Sequence, residues 1–137
     1  MAVKQLSVFI ENKKGSLADI TKLLCENNIN IRALTVADTK DYGILRLIAE
    51  DTEKATKVLK AAGHTASVRE VSSFSVPDEM GGLSKVLELL DENGINMEYL
   101  YSMTRSSDGK AFFIMRVDDN EKTEEVLRRN SIEILND

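Results

Sequence analysis

One cysteine, one histidine and no long apolar run set the first limits on this chain of 137 residues. A lone cysteine forms no internal disulfide, and with a single histidine it cannot furnish a closed zinc site of the usual Cys/His kind. A Cys-x-x-Cys loop is also missing, so redox and metal roles recede and no cofactor is called for. Without an apolar stretch of membrane-spanning length, or a secretory n-region and h-region at the start, no membrane association is expected and a cytoplasmic location is the default. Positive charge is in deficit: the net charge is −5 and the pI about 5.0, which opposes a phosphate backbone over most of the surface. No nucleic acid partner is expected from that balance. Composition is otherwise that of a soluble globular protein, 42% hydrophobic and 30% charged.

A repeat occupies what remains. Gly15, Leu17, Leu23, Leu24, Glu26, Asn27, Ile29 and Asn30 meet identical residues at an offset of 66, from Gly81 to Asn96, while Ile20 meets Val86 and Ile31 meets Met97. The register resumes at Asp51–Leu59 against Asp119–Leu127 with an offset of 68, so the second copy carries two extra residues, assigned to a turn at Ser106–Gly109. Two units follow, residues 1–70 and 71–137, each near the lower size limit for independent folding. No linker separates them.

Each copy reads in the same order. Leu6–Ile10 alternates as a strand, Ser16 with Asp19 forms a candidate capping pair, and Leu17, Ile20, Leu23 and Leu24 make a helical apolar stripe. Asn30–Ala37 and Ile44–Ala49 read as a hairpin around the turn residues 38–43. A second helix starts at Asp51 or Thr52 and buries Ala55, Val58, Leu59 and Ala62 up to Gly63; Thr65–Val71 is the last strand. The second copy gives Ser73–Val76, Leu83–Asn93, Asn96–Met103, Ala111–Val117, Glu121–Arg129 and Ile132–Leu135. The fold class is therefore α+β: two ferredoxin-like βαββαβ units, antiparallel sheets with helices on one face.

Gly15 and Gly81 stand where a strand turns into a helix. Lacking a β-carbon, they let backbone N–H groups approach a ligand where the helix N-terminus favours negative charge, and a carboxylate suits that place. The same glycines serve equally to relieve a tight turn. Asn12 and Asn30 bring amides able to donate to a carboxylate and accept from an ammonium if they converge beside the turn; they also suit ordinary turn-closing roles.

Asn12-Lys13-Lys14-Gly15-Ser16-Leu17, the helix, and Asn28-Ile29-Asn30-Ile31 together resemble an ACT domain, and the second half fits as well. The family's proline before the glycine is replaced by Lys14 and Met80. The resemblance covers nearly the whole chain and implies a regulatory module, not an enzyme, that binds a free amino acid or close analogue between paired ACT units. It implies a homodimer and a possible partner enzyme. Carried over position by position, the ligand-binding residues are Asn12, Gly15, Ser16, Leu17 and Asn30, and Asp78, Gly81, Gly82, Leu83 and Asn96. Asp78 in place of Asn12 adds a charge and removes two donors, so the two sites are expected to differ, the Asn12/Gly15 turn receiving the ligand carboxylate well and the Asp78 turn favouring the ammonium or filling poorly. Pocket walls are expected from Arg32, Ala33, Glu98 and Tyr99.

Other chemistry has less to stand on. Cys25 and His64 make a nucleophile–base pair only if the fold unites them. Val8–Asn12 and Gly109–Ile114 resemble the first-strand and third-strand signatures of an RNA-recognition motif, but they lie in different repeats. A ligand-free assembly module is the remaining alternative.

Overall fold

The computed structural model describes residues 3–38, 40–104 and 108–135. They divide into two compact units, Lys4–Arg69 and the chain from Glu70 onward. The first contains β1 (Val3–Glu11), α1 (Ser16–Glu26), β2 (Ile31–Asp38), β3 (Tyr42–Ala49), α2 (Thr52–Ala61) and the start of β4 (Ala66–Pro77). The second contains the rest of β4, then α3 (Gly82–Glu92), β5 (Met97–Ser102), β6 (Lys110–Val117), α4 (Asn120–Arg129) and the two-residue β7 (Glu133–Ile134). Sheet order is β2-β3-β1-β4 in the first and β5-β6-β4-β7 in the second. Both are the ferredoxin-like plan expected from the repeat, and the class is α+β.

The two strands expected at Thr65–Val71 and Ser73–Val76 are one continuous strand, β4. Between them the chain runs Arg69-Glu70-Val71-Ser72-Ser73 with neither glycine nor proline, so nothing locally compels a turn. The Ser106–Gly109 turn falls partly outside the described residues; Asp108 and Gly109 both have positive φ, 53° and 68°. Thr39, in the first hairpin turn, is also outside them.

Alternation along the strands sorts the core. Leu6 and Val8 of β1 and Leu45 and Leu47 of β3 face Ile20 and Leu24 of α1 and Ala55 and Leu59 of α2, all essentially inaccessible to solvent. In the second unit Phe74, Val76, Met115 and Val117 meet Val86, Leu90, Val126 and Leu127. One cross-strand pair differs in size. Val8 pairs with Leu45, whereas the equivalent Phe74 pairs with Phe113, their rings stacked at 5.5 Å and 25°. Phe113 therefore packs against the helices. On the opposite face Phe9 pairs with Ile44 and Phe112 with Ser75, so neither pairing sets two aromatics side by side as base stacking on an RNA-recognition sheet requires.

Helix ends separate into two kinds. Asp51 caps α2 by accepting from the Lys54 N–H, and Asp119 caps α4 by accepting from Lys122 N–H, each at 3.0 Å. The Ser16–Asp19 capping pair does not form. The cap position of α1 is Gly15, with φ 89°, and no side chain caps the helix; Ser16 is already its first helical residue and stands one position too late to act as the cap. Gly81 at φ 86° opens α3 in the same way, again without a side-chain cap. Ala62 is also displaced from its expected role, lying exposed at the C-cap of α2. Among the described residues no helix is long and apolar enough to cross a membrane.

Truncating Leu24 or Leu127 to alanine should lower the unfolding free energy in urea by about 2–5 kcal/mol. Removing a cap by Asp119→Ala should cost about 1 kcal/mol in the same titration.

Candidate functional site

The strand-to-helix turns of the two units are built alike. Asn12 N–H donates to Asp41 O at 3.0 Å, and Asp78 N–H donates to Gly109 O at 2.8 Å, tying each turn to the neighbouring hairpin. Ser16 N–H reaches Lys13 O at 3.3 Å, and Gly82 N–H reaches Glu79 O at 3.1 Å. Asp19 N–H then bonds Gly15 O, and Lys85 N–H bonds Gly81 O, starting each helical ladder. Left-handed φ at Gly15 and Gly81 lets the chain enter the helix with no side-chain cap hydrogen bond on its first turn. That polarity and access suit an anionic group.

The turns differ in their side chains. Asn12 Nδ2 donates to Lys40 O at 3.2 Å, a bond the carboxylate of Asp78 cannot reproduce. Ser16 is half-buried, whereas its counterpart Gly82 is buried and sits so close to β4 that an added β-carbon would lie 2.6 Å from Pro77 O. Leu17 and Leu83 are half-buried and pack against the two cores, anchoring the first turns of α1 and α3.

Asn30 and Asn96 do not converge with the turns inside their own units. Asn30 O accepts from Glu50 N–H, at the end of β2 and β3 remote from the hairpin turn that Asn12 grips; α1 alone separates the two by ~16 Å. Asn96 N–H likewise donates to the Asp118 side chain at 3.3 Å, while Asp78 holds Gly109 at the other end of β6. The reason is topological: a strand followed by a helix returns the chain to the end of the sheet where the strand began, so Asn30 and Asn96 open the next strand at the end opposite the turn. Cys25, in the last turn of α1, is separated from His64 on the same grounds, since His64 lines a cavity together with Ser16 at the start of that helix. Among the described residues no cluster of three His, Cys, Asp or Glu side chains could hold a metal.

Each unit has a cavity beside its turn, at equivalent positions. In the first it measures ≈ 290 Å³ and lies between β1, the start of α1 and Gly63-His64-Thr65 after α2. In the second it measures ≈ 600 Å³ and lies between β4, the start of α3 and Ser131-Ile132-Glu133 after α4. Ser16 and Gly82 line these cavities. Arg32, Ala33, Glu98 and Tyr99, expected as walls, do not: Ala33 is fully buried, Glu98 pairs with Arg116, and Tyr99 stacks on Tyr101. The segments after α2 and α4 were missed, although the offset of 68 that aligns Asp51 with Asp119 also aligns Gly63–Thr65 with Ser131–Glu133.

The larger cavity contains a polar network. Lys110 Nζ and Ser75 Oγ both donate to Glu133 Oε2, at 2.7 and 3.0 Å. Those hydrogen bonds, Lys110's first, hold the Glu133 carboxyl below its ordinary pKa, and the bond to Glu133 raises that of Lys110. Both side chains are about half exposed, so the pair is a modest contributor to stability.

The family model for the ACT domain pair matches residues 1–137. No curated protein matches the chain. Among solved structures, protein BT0572 from Bacteroides thetaiotaomicron is 38% identical, with a TM-score of 0.92 over 98% of this chain and 92% of that one. The regulatory subunit of aspartate kinase from Thermus thermophilus, in its ligand-free form, is 15% identical with a TM-score of 0.67, over 93% of this chain and 91% of that one. The corresponding subunit from Thermus flavus is 17% identical with a TM-score of 0.65, over 93% and 90%. At those identities the two subunits attest the fold alone.

A carboxyl whose pKa is lowered on folding adds stability above its unfolded value, and that contribution is lost as pH falls through the folded one; for Lys110, raised on folding, the loss comes as pH rises through its folded value. Lys110→Met should therefore move the NMR titration midpoint of the Glu133 carboxyl upward, toward the usual glutamate range. Gly82→Ala should destabilise the fold by about 1–3 kcal/mol, because the backbone of β4 must give way.

Proposed function

The chain belongs to the ACT domain pair family, and on that premise we propose that it is a cytoplasmic regulatory protein that binds a free amino acid or close analogue and passes its occupancy to a partner enzyme by allostery. It performs no catalysis in this reading. The observation that carries it is the division of helix ends: α2 and α4 are closed by aspartate caps, while α1 and α3 begin behind left-handed glycines with no side-chain cap hydrogen bond. A carboxylate is the group such an end favours.

Gly15, Ser16, Gly81 and Gly82 provide the backbone approach in this reading, Asn12 and Asp78 stand beside it, and Leu17 and Leu83 fix the helix starts from within the core. Asn30 and Asn96 lie at the far end of their own units, so they reach a ligand at a turn only when supplied by another ACT unit. The homodimer, and the pairing of units around the ligand, belong to the proposal for that reason. Asn12 and Asp78 make the two turns unequal, and occupancy is expected to favour one of them.

Allostery needs the ligand to bind one arrangement of the paired units more tightly than another; couplings of this kind are typically about 1–3 kcal/mol. A ligand-free assembly module is the competing reading, and thermal unfolding against the twenty amino acids separates the two. Selective stabilisation by one or a few, about 2.7 kcal/mol at 100 times the dissociation constant, is the expected result. A flat response across the panel favours assembly alone.

A further inference from the structure

The two cavities occupy equivalent places and have diverged in both size and charge. Phe9 of the first corresponds to Ser75 of the second, so a bulky aromatic lines the smaller cavity where a small hydroxyl lines the larger. At ≈ 600 Å³ the C-terminal cavity lies well within the ~300–1,000 Å³ range of small-molecule sites, whereas ≈ 290 Å³ falls at its lower edge.

Charge separates them further. Glu11, Lys13 and Asp19 line the N-terminal cavity, an excess of one negative charge, and Lys13 is already paired with Glu11 at 3.2 Å. Lys85 stands where Asp19 stands, in the first turn of the helix, and joins Lys110 opposite Glu79 and Glu133. Two cations and two carboxylates balance, an arrangement matched to a ligand carrying one charge of each sign. Lys110 and Ser75 both bond to Glu133 Oε2, and a carboxylate has acceptor capacity beyond two such bonds. The remaining wall is apolar, formed by Val76, Val86, Leu89 and Ile132.

Resting on the amino-acid-binding reading above and narrowing it, we propose that the C-terminal cavity is the seat of one amino acid with an aliphatic side chain. Its carboxylate lies toward Lys85 in the first turn of α3, its ammonium toward Glu133, and its side chain on Val76, Val86, Leu89 and Ile132. The N-terminal cavity binds none. The selectivity follows from the wall: an aliphatic chain gains about 0.8 kcal/mol per buried CH₂ there, while a second charge on the ligand would upset the balance of the four side chains.

Titration of the intact protein with leucine, isoleucine and valine, and with aspartate and lysine as charged comparisons, followed by methyl and amide NMR, tests this. The expected result is one aliphatic amino acid per chain, with shifts at Val86, Leu89 and Ile132 and none at Ile20 or Thr65. Lys85→Asp, which copies the N-terminal residue, should weaken binding at least tenfold, and the reciprocal Asp19→Lys should leave it within twofold. Ser75→Phe should abolish binding, with a melting transition recorded to confirm folding. Tight binding accompanied by shifts confined to Asn12–Gly15 would overturn the cavity assignment and leave amino-acid sensing in place. Preference for aspartate or lysine would overturn the aliphatic assignment. Silence toward all twenty amino acids would overturn both readings together.

Discussion

In each unit the first strand must give way to a helix within four residues while its backbone stays tied to the adjacent hairpin, at Asp41 O in one case and Gly109 O in the other. Only a residue that tolerates φ near +90° satisfies both demands, and glycine does so without the strain that a side chain would add. From this constraint follow the absence of a side-chain cap on α1 and α3 and the placing of a cavity beside each turn. The second helices, whose starts need no such reversal, carry an ordinary aspartate cap in both units. Conformation at one residue thus decides which helix ends are open.

Much of this could be read from the sequence because the repeat supplied two independent copies of each signal. Gly15 with Gly81, and Asp51 with Asp119, locate both kinds of helix start, and the alternation of Leu6, Val8 and Ile10 identifies the buried face. What could not be read depended on distance through space. Asn12 and Asn30 are close in sequence to the same helix but belong to its opposite ends, and the path of the chain places them apart. The Ser16–Asp19 pair had the right spacing for a capping box; the left-handed glycine before it moved the cap position back by one residue. His64 and Ile132 come beside the helix starts through the sheet order, which no local pattern encodes.

Duplication followed by divergence has left the frames alike and the contents unequal. Hydrogen bonds that shape the turns match pair by pair, whereas the side chains at Asn12 and Asp78, Ser16 and Gly82, Asp19 and Lys85 do not. The backbone holds the architecture constant and frees these positions to set charge and volume. Two polar environments can therefore coexist on one fold, with the balanced one in the second unit and the net negative one in the first.

The unlike aromatic and aliphatic cores have a bearing on biogenesis. Tandem repeats risk joining strands across copies as they emerge, because each strand sees two templates of similar pattern. Were β1 to zip onto β6, Val8 would face Phe113 above helices sized for Leu45; were β4 to zip onto β3, Phe74 would face Leu45 in a space shaped for Val8. Each hybrid puts a phenylalanine into a layer shaped for a smaller side chain, and close-packed interiors penalise that overfilling. Mismatched bulk thus disfavours strand exchange between the two copies relative to each half's own pairing.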